Sequence, residues 1–350
     1  YFKTITVSEF NLAMPKDSDA SSRPISFKVV TKSDIRRVFD PISYSKGALI
    51  INMMRGFLGE ATFRLGLHNY LEKFSYDNAV QDDLWSAMTI KGHKDKVLDE
   101  RFTVKEIMDS WTSQPNYPVV TVSRNESSIT LSQQRYFLPQ IDENDSTRWY
   151  IPISYASTRR PEGSEIPEYW IANDEKEITV EDIVSEKEYI YINVNRTGYY
   201  RVNYDNLSWK LLIQNLHLFS DITRAQLIDD SFNLARANLT GYDIPITFGI
   251  VLRQIPTEYL SWWAFANGLE YLTYMLKREP AFESYRKVMR YVIKSAYDEL
   301  GFDELPNESD IELLHRSRVV SLACEFGIDR CTVAAQLLFR EWIANKAENK

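Results

Sequence analysis

The apolar residues of this chain change period twice. From residue 34 to 113 they recur at helical spacing. From Tyr117 to about Tyr204 they fall in short runs rich in β-branched and aromatic residues, and from Trp209 onward the helical spacing returns. A helix repeats its buried face every three to four residues and a strand every second, so no single regular element type satisfies both patterns. At 350 residues the chain is also longer than one core usually serves. The order predicts a multidomain α+β protein, with a helical part over 1–114, a small β-sandwich over 115–205 and an α-solenoid over 206–350 that is incomplete at its end.

The local signals are specific. Asp40-Pro41 reads as a helix start, an acid at the cap followed by Pro at the first helical position. Ile42, Leu49, Ile50, Met53, Met54 and Phe57 follow on one face, and Gly56 and Gly59 fit the far end. A second helix is predicted from about Glu60 to Phe74 and a third from near Gln81. Thr103-x-x-Glu106 forms a capping box ahead of Ile107, Met108 and Trp111. Pro115 and Pro118 then break the helical pattern. Val119 to Val122 and Ile129 to Leu131 flank the polar turn Asn125-Glu126-Ser127 as a hairpin. Tyr150 to Tyr155, Tyr169 to Ile171 and Tyr189 to Val194 continue as strands, and amphipathic helices follow Tyr204.

Composition narrows the partners. Basic residues number 41 and acidic residues 49, a net charge of -8, with no basic patch of the kind phosphate binding needs, so nucleic acid is not expected. No stretch approaches the ~18 apolar residues that span a bilayer. The longest, Gly47 to Leu58, is interrupted by Asn52 and Arg55. The start, Tyr-Phe-Lys-Thr-Ile-Thr-Val, carries neither an initiator Met nor a signal-peptide pattern.

Two cysteines, Cys324 and Cys331, lie seven residues apart. Their spacing leaves buried thiols and a bridge equally open. Six Asn-x-Ser/Thr sites, at Asn125, Asn144, Asn195, Asn206, Asn238 and Asn307, are a mild excess over chance. They favour an extracellular chain, and an oxidising compartment favours the bridge.

Familiar catalytic patterns are absent: no HExxH, no GxSxG and no Walker loop occurs, and His68, His93, His217 and His315 are scattered singles. His68 and Glu72 read as a local polar pair, and Asp229 and Asp230 as N-terminal helix charges or interdomain hydrogen-bond acceptors without chemistry. The segment Phe39-Asp40-Pro41-Ile42-Ser43-Tyr44-Ser45-Lys46-Gly47-Ala48 stands out. Taken alone it reads as a well-capped amphipathic helix. It also resembles the Ile-Ser-Tyr-x-Lys-Gly-Ala segment of the M1 (gluzincin) zinc aminopeptidases of animal cell surfaces. The resemblance continues in order. Asp109 to Gln114 with Tyr117 to Val122 is similar to that family's junction between catalytic domain and sandwich, and Asn195-x-x-Gly198 to Asp205 to the next junction. Arg224 to Ala235 resembles its first long C-terminal helix, and Cys324 through Cys331 to Trp342 its cysteine pair.

Several expectations follow from the resemblance. The 1–114 part is the helical end of a thermolysin-like catalytic domain, and Cys324–Cys331 is a disulfide. Tyr44 donates a hydrogen bond to the oxyanion formed when zinc-bound water attacks a peptide carbonyl. A phenol with pKa near ~10 stays a protonated donor at neutral pH. The family's zinc ligands and its Gly-x-Met-Glu-Asn amino-binding loop precede the tyrosine and are not found here, so zinc is expected in the full-length parent and not in this chain, which alone is expected to be inactive. The expected partners are peptide substrates and the missing N-terminal part of the same protein. The expected place is the outer face of the plasma membrane, with the anchor outside the chain. The alternative is a non-catalytic docking module for toxins or viruses, with a purely structural solenoid as a third reading.

Overall fold

A computed structural model describes residues 2–138 and 145–344, and its elements follow the two changes of period. Contacts divide the chain into two compact units, one of residues 1–215 with 237–239, the other of 216–236 with 240–350. Within the first unit the Leu239 carbonyl accepts from Asn203 Nδ2 at 3.2 Å.

The first unit begins with α1 (Phe2–Asp17) and α2 (Lys32–Arg37), followed by a π-turn at Ile42–Lys46 and α3 (Gly47–Leu58). Then come α4 (Glu60–Lys73), α5 (Gln81–Lys94) and α6 (Val104–Thr112). α3 buries the expected face, Leu49, Ile50, Met53, Met54 and Phe57. It ends where Gly59 takes φ +74°, a left-handed value that glycine adopts without a Cβ penalty. The Thr103 capping box closes in both directions at the start of α6, which buries Ile107, Met108 and Trp111. The Trp111 indole donates to the Tyr150 carbonyl at 2.9 Å, which ties α6 to the strands.

The strands are β1 (Tyr117–Asn125), β2 (Ser128–Tyr136), β3 (Ile151–Ile153), β4 (Tyr155–Ser157), β5 (Tyr169–Ile171), β6 (Glu177–Val180), β7 (Ile190–Ile192) and β8 (Arg201–Tyr204). They form a four-stranded sheet of order β6-β2-β1-β8 and two pairs, β3 with β5 and β4 with β7. The β1–β2 register runs from Tyr117 opposite Tyr136 to Asn125 opposite Ser128, so the hairpin turns on Glu126 and Ser127. β8 lies parallel to β1. Its approach depends on Gly198, where an added Cβ would collide with the Tyr200 ring. α7 (Asn206–Gln214) follows, capped by the Asp205 side chain.

The second unit is helical: α8 (Asp221–Arg236), α9 (Asp243–Leu252), α10 (Tyr259–Leu276), α11 (Phe282–Leu300), α12 (Asp310–Glu325) and α13 (Asp329–Ala344). α8 and α10 meet closely because Gly268 lies against the Phe232 ring, and α9 meets α10 where Gly249 faces Phe265. Cys324 and Cys331 are bonded, with Cα atoms 5.2 Å apart, so the bridge joins the end of α12 to the start of α13. Asp229 and Asp230 are buried and lie well past the first turn of α8, which corrects their reading as helix-terminal charges. On α13, Val333, Leu337, Leu338 and Trp342 are each more than half exposed.

Candidate functional site

The geometry around Tyr44 starts with Asp40. Its Oδ1 accepts from the amides of Ile42 and Ser43, each at 3.1 Å, and so satisfies donors that open the turn. The amide of Lys46 then bonds the Pro41 carbonyl at 2.9 Å, a five-residue step that widens the first turn into a π-turn before α3 continues as an ordinary helix. The turn fixes which side chains face where. Ile42, Ser45 and Lys46 are buried, whereas Tyr44 between them is 62% exposed. The phenol is therefore presented outward from a turn whose neighbours are held inside.

Two charged anchors hold that turn. The first is Arg23, itself 7% exposed. Its Nη2 donates to the Arg37 carbonyl at 3.1 Å, to Asp40 Oδ1 at 2.6 Å and to Ser43 Oγ at 2.8 Å, and its Nη1 to the Pro24 carbonyl at 2.9 Å. The second is Lys46, whose Nζ lies 2.9 Å from Asp17 Oδ2, with both side chains fully buried. Nζ also donates to the Asn116 carbonyl at 3.0 Å. Asp17 accepts in addition from Tyr199 Oη at 3.2 Å, from the Asn116 amide at 3.0 Å and from Ser22 Oγ at 2.6 Å. Burial pushes the Lys46 ammonium below its ordinary pKa, and the Asp17 charge opposes that push. Burial likewise drives the Tyr199 and Tyr117 hydroxyls well above the usual tyrosine value, so both stay protonated; Tyr199 donates to Asp17 and Tyr117 accepts from Arg201 Nε.

Zinc finds no home among these residues. Among the described residues no three His, Cys, Asp or Glu side chains come together as a metal would require. His68 Nδ1 lies 3.9 Å from Glu72 on an exposed face, His93 bonds the Phe102 carbonyl and His315 the Pro256 carbonyl. The donor set present does not fit the metal, and no chemical step here passes through it.

The glycosylation candidates separate by setting. Asn125, Asn206, Asn238 and Asn307 are exposed. Asn195 is half-buried at φ +53°, and its Nδ2, the atom a glycan would occupy, donates to Glu165 Oε1 at 2.9 Å. Asn144 lies outside the described residues.

Sequence reasoning did not find α1, Asp17 or Arg23. A signal existed: Val7, Phe10, Met14 and Asp17 recur at helical spacing, and all four are buried. Asp17 stands at the position on that face where an apolar residue is the usual occupant, which hid the pattern.

Comparison with known proteins gives the family. The family description "Peptidase family M1 domain" matches residues 1–111, the stretch that carries the Tyr44 turn and both anchors. The description "ERAP1-like C-terminal domain" matches residues 189–350. The thyrotropin-releasing hormone-degrading ectoenzyme of Rattus norvegicus is 34% identical over 94% of this chain and 32% of its own length. Aminopeptidase N of Canis lupus familiaris is 32% identical over 99% of the chain and 36% of its own length, and aminopeptidase Ey of Gallus gallus is 31% identical over the same shares. The chain belongs to the M1 peptidase family. It spans about a third of the length of the curated relatives it matches. Among the described residues no helix is long and apolar enough to cross a membrane.

Proposed function

We propose that the whole protein is a zinc aminopeptidase acting on peptides at the outer cell surface, and that Tyr44 stabilises its transition state. The observation that carries this reading is the outward phenol of Tyr44 on a turn anchored by buried charges. Peptide hydrolysis develops negative charge on the former carbonyl oxygen, and a fixed donor lowers the barrier only if it already stands where that charge forms. A ring held on the π-turn loses little freedom when it donates. Among the described residues no set fits zinc, so the metal is placed on residues outside this chain, and the chain alone is expected to hydrolyse nothing. Within the chain the work is divided among a catalytic-domain part over 1–114, a β-sandwich over 115–205 and a helical solenoid over 206–350.

The test is Tyr44→Phe in the full-length protein, with kcat and KM measured on aminoacyl-anilides. Loss of one oxyanion donor should lower kcat about 10²–10³-fold. A loss below about tenfold would remove Tyr44 from the chemistry; a full-length parent with no chelator-sensitive release of amino acids would instead favour the alternative, a non-catalytic docking module.

A further inference from the structure

We propose that Arg23 is a positioning residue for Tyr44; this rests on the role given to Tyr44 above. Arg23 touches no reacting atom. It grips the turn that carries the phenol at three points, the Arg37 carbonyl where α2 ends, the Asp40 carboxylate that opens the turn, and the Ser43 hydroxyl next to Tyr44. Asp40 Oδ1 is shared: the same oxygen holds the guanidinium and the amides of Ile42 and Ser43. Arg23 thus fixes the acceptor on which the turn is built.

Such support is needed here because a π-turn is a poorer local minimum than an α-helix. The five-residue bond from Lys46 to Pro41 competes with the ordinary four-residue pattern of the helix α3 that follows. Were the turn to relax into that pattern, the residues before Gly47 would shift by one helical position. That step rotates a side chain by about 100° around the axis and would carry the phenol away from its outward direction. The lysine anchor secures the turn at Lys46, after Tyr44; Arg23 secures it before Tyr44. The buried Nε of Arg23 has no acceptor, so the guanidinium is held in place at the expense of one unsatisfied donor. Lysine could not reproduce the grip, because the guanidinium meets the turn through Nη2 while Nη1 donates to the Pro24 carbonyl, and a single ammonium cannot take both places of the fork.

The experiment uses the full-length enzyme and four variants: Arg23→Met, Arg23→Lys, Tyr44→Phe and the double Arg23→Met/Tyr44→Phe. Arg23→Met should lower kcat about tenfold or more while KM stays within about threefold, because misplacement of a catalytic group costs rate before binding. Arg23→Lys should recover part of that loss. In the Tyr44→Phe background, Arg23→Met should change kcat by less than about twofold, since two residues acting through one hydroxyl are not additive. If Arg23→Met costs as much without the hydroxyl as with it, Arg23 is merely structural and the proposal falls. A kcat for Arg23→Met within about twofold of the parent also overturns it. If Tyr44→Phe itself keeps its kcat, the reading of Tyr44 is what fails. Should Arg23→Met not fold, Ser43→Ala removes one of the three acceptors; it should lower kcat only where the Tyr44 hydroxyl is present, and an equal loss in both backgrounds would refute the proposal.

Discussion

Lys46 Nζ and Asp17 Oδ2 lie 2.9 Å apart with neither side chain exposed to solvent, so the residue two places after Tyr44 is fastened to the end of the first helix. A buried pair of this kind is weak evidence of net stabilisation, because removing both charges from water costs nearly what their attraction returns. Breaking it is different. Lys46→Met would leave the Asp17 carboxylate buried with only neutral donors, and Asp17→Asn would leave a buried ammonium. Each single change should destabilise the first unit by about 3–5 kcal/mol. The double change, Asp17→Asn with Lys46→Met, should recover a large part of that loss. Urea unfolding of the three variants checks this, and a double variant as unstable as the sum of the singles would show that the charges are not coupled.

The Tyr44 turn was legible in the sequence because its determinants are local. Asp40 caps residues two and three places on, and the apolar face of α3 repeats within one helix. The β1–β2 hairpin and the Thr103 box were legible for the same reason. What sequence could not give was the anchoring. Asp17 meets Asn116 across 99 positions and Tyr199 across 182, and no periodicity registers contacts of that span. The π-turn was also read as plain helix, since it differs only by one hydrogen-bond step. Buried charge completes the concealment: Asp17, Arg23, Lys46, Arg196 and Arg201 all sit inside, where residues of these types are rare.

Gly268 should be intolerant of a side chain. An added Cβ would enter the Phe232 ring, and the ring is buried with Phe265 packed edge-on 5.6 Å away, which leaves it little room to yield. Gly268→Ala places a better helix former in α10, worth about 1 kcal/mol in an open helix. Overpacking should outweigh that gain and leave a net loss of about 1–3 kcal/mol in the second unit. Thermal unfolding decides the sign, and a stabilised variant would mean that α8 and α10 can part without penalty.

Glycan occupancy should follow the setting of each Asn. On the protein made in a secreting animal cell, glycopeptide mass spectrometry should find glycans among Asn125, Asn206, Asn238 and Asn307, all exposed. Asn195 should be bare, because a sugar on its Nδ2 would displace the bond to Glu165 and because Thr197 of the same acceptor triplet is buried. Full occupancy at Asn195 would contradict the packing of that loop.

Acid should weaken the second unit through His315. Its imidazole is buried, with Nε2 2.8 Å from the Pro256 carbonyl and Nδ1 facing no partner. The neutral ring donates from Nε2, and a second proton on Nδ1 would be buried without an acceptor. Burial therefore holds the folded pKa below the ordinary histidine value, against the opposing pull of the Pro256 carbonyl. With the folded value depressed, the unfolded chain binds more protons as pH falls through about 6.5, so the stability present above that value drains away toward the lower folded pKa. Melting followed from pH 7.5 to pH 5 should show the transition of this unit falling with acidification. His315→Gln can keep a donor to the Pro256 carbonyl but cannot take up the proton. Its melting temperature should start somewhat lower at pH 7.5 and fall less steeply. An identical slope in the two proteins would assign the acid sensitivity to other groups.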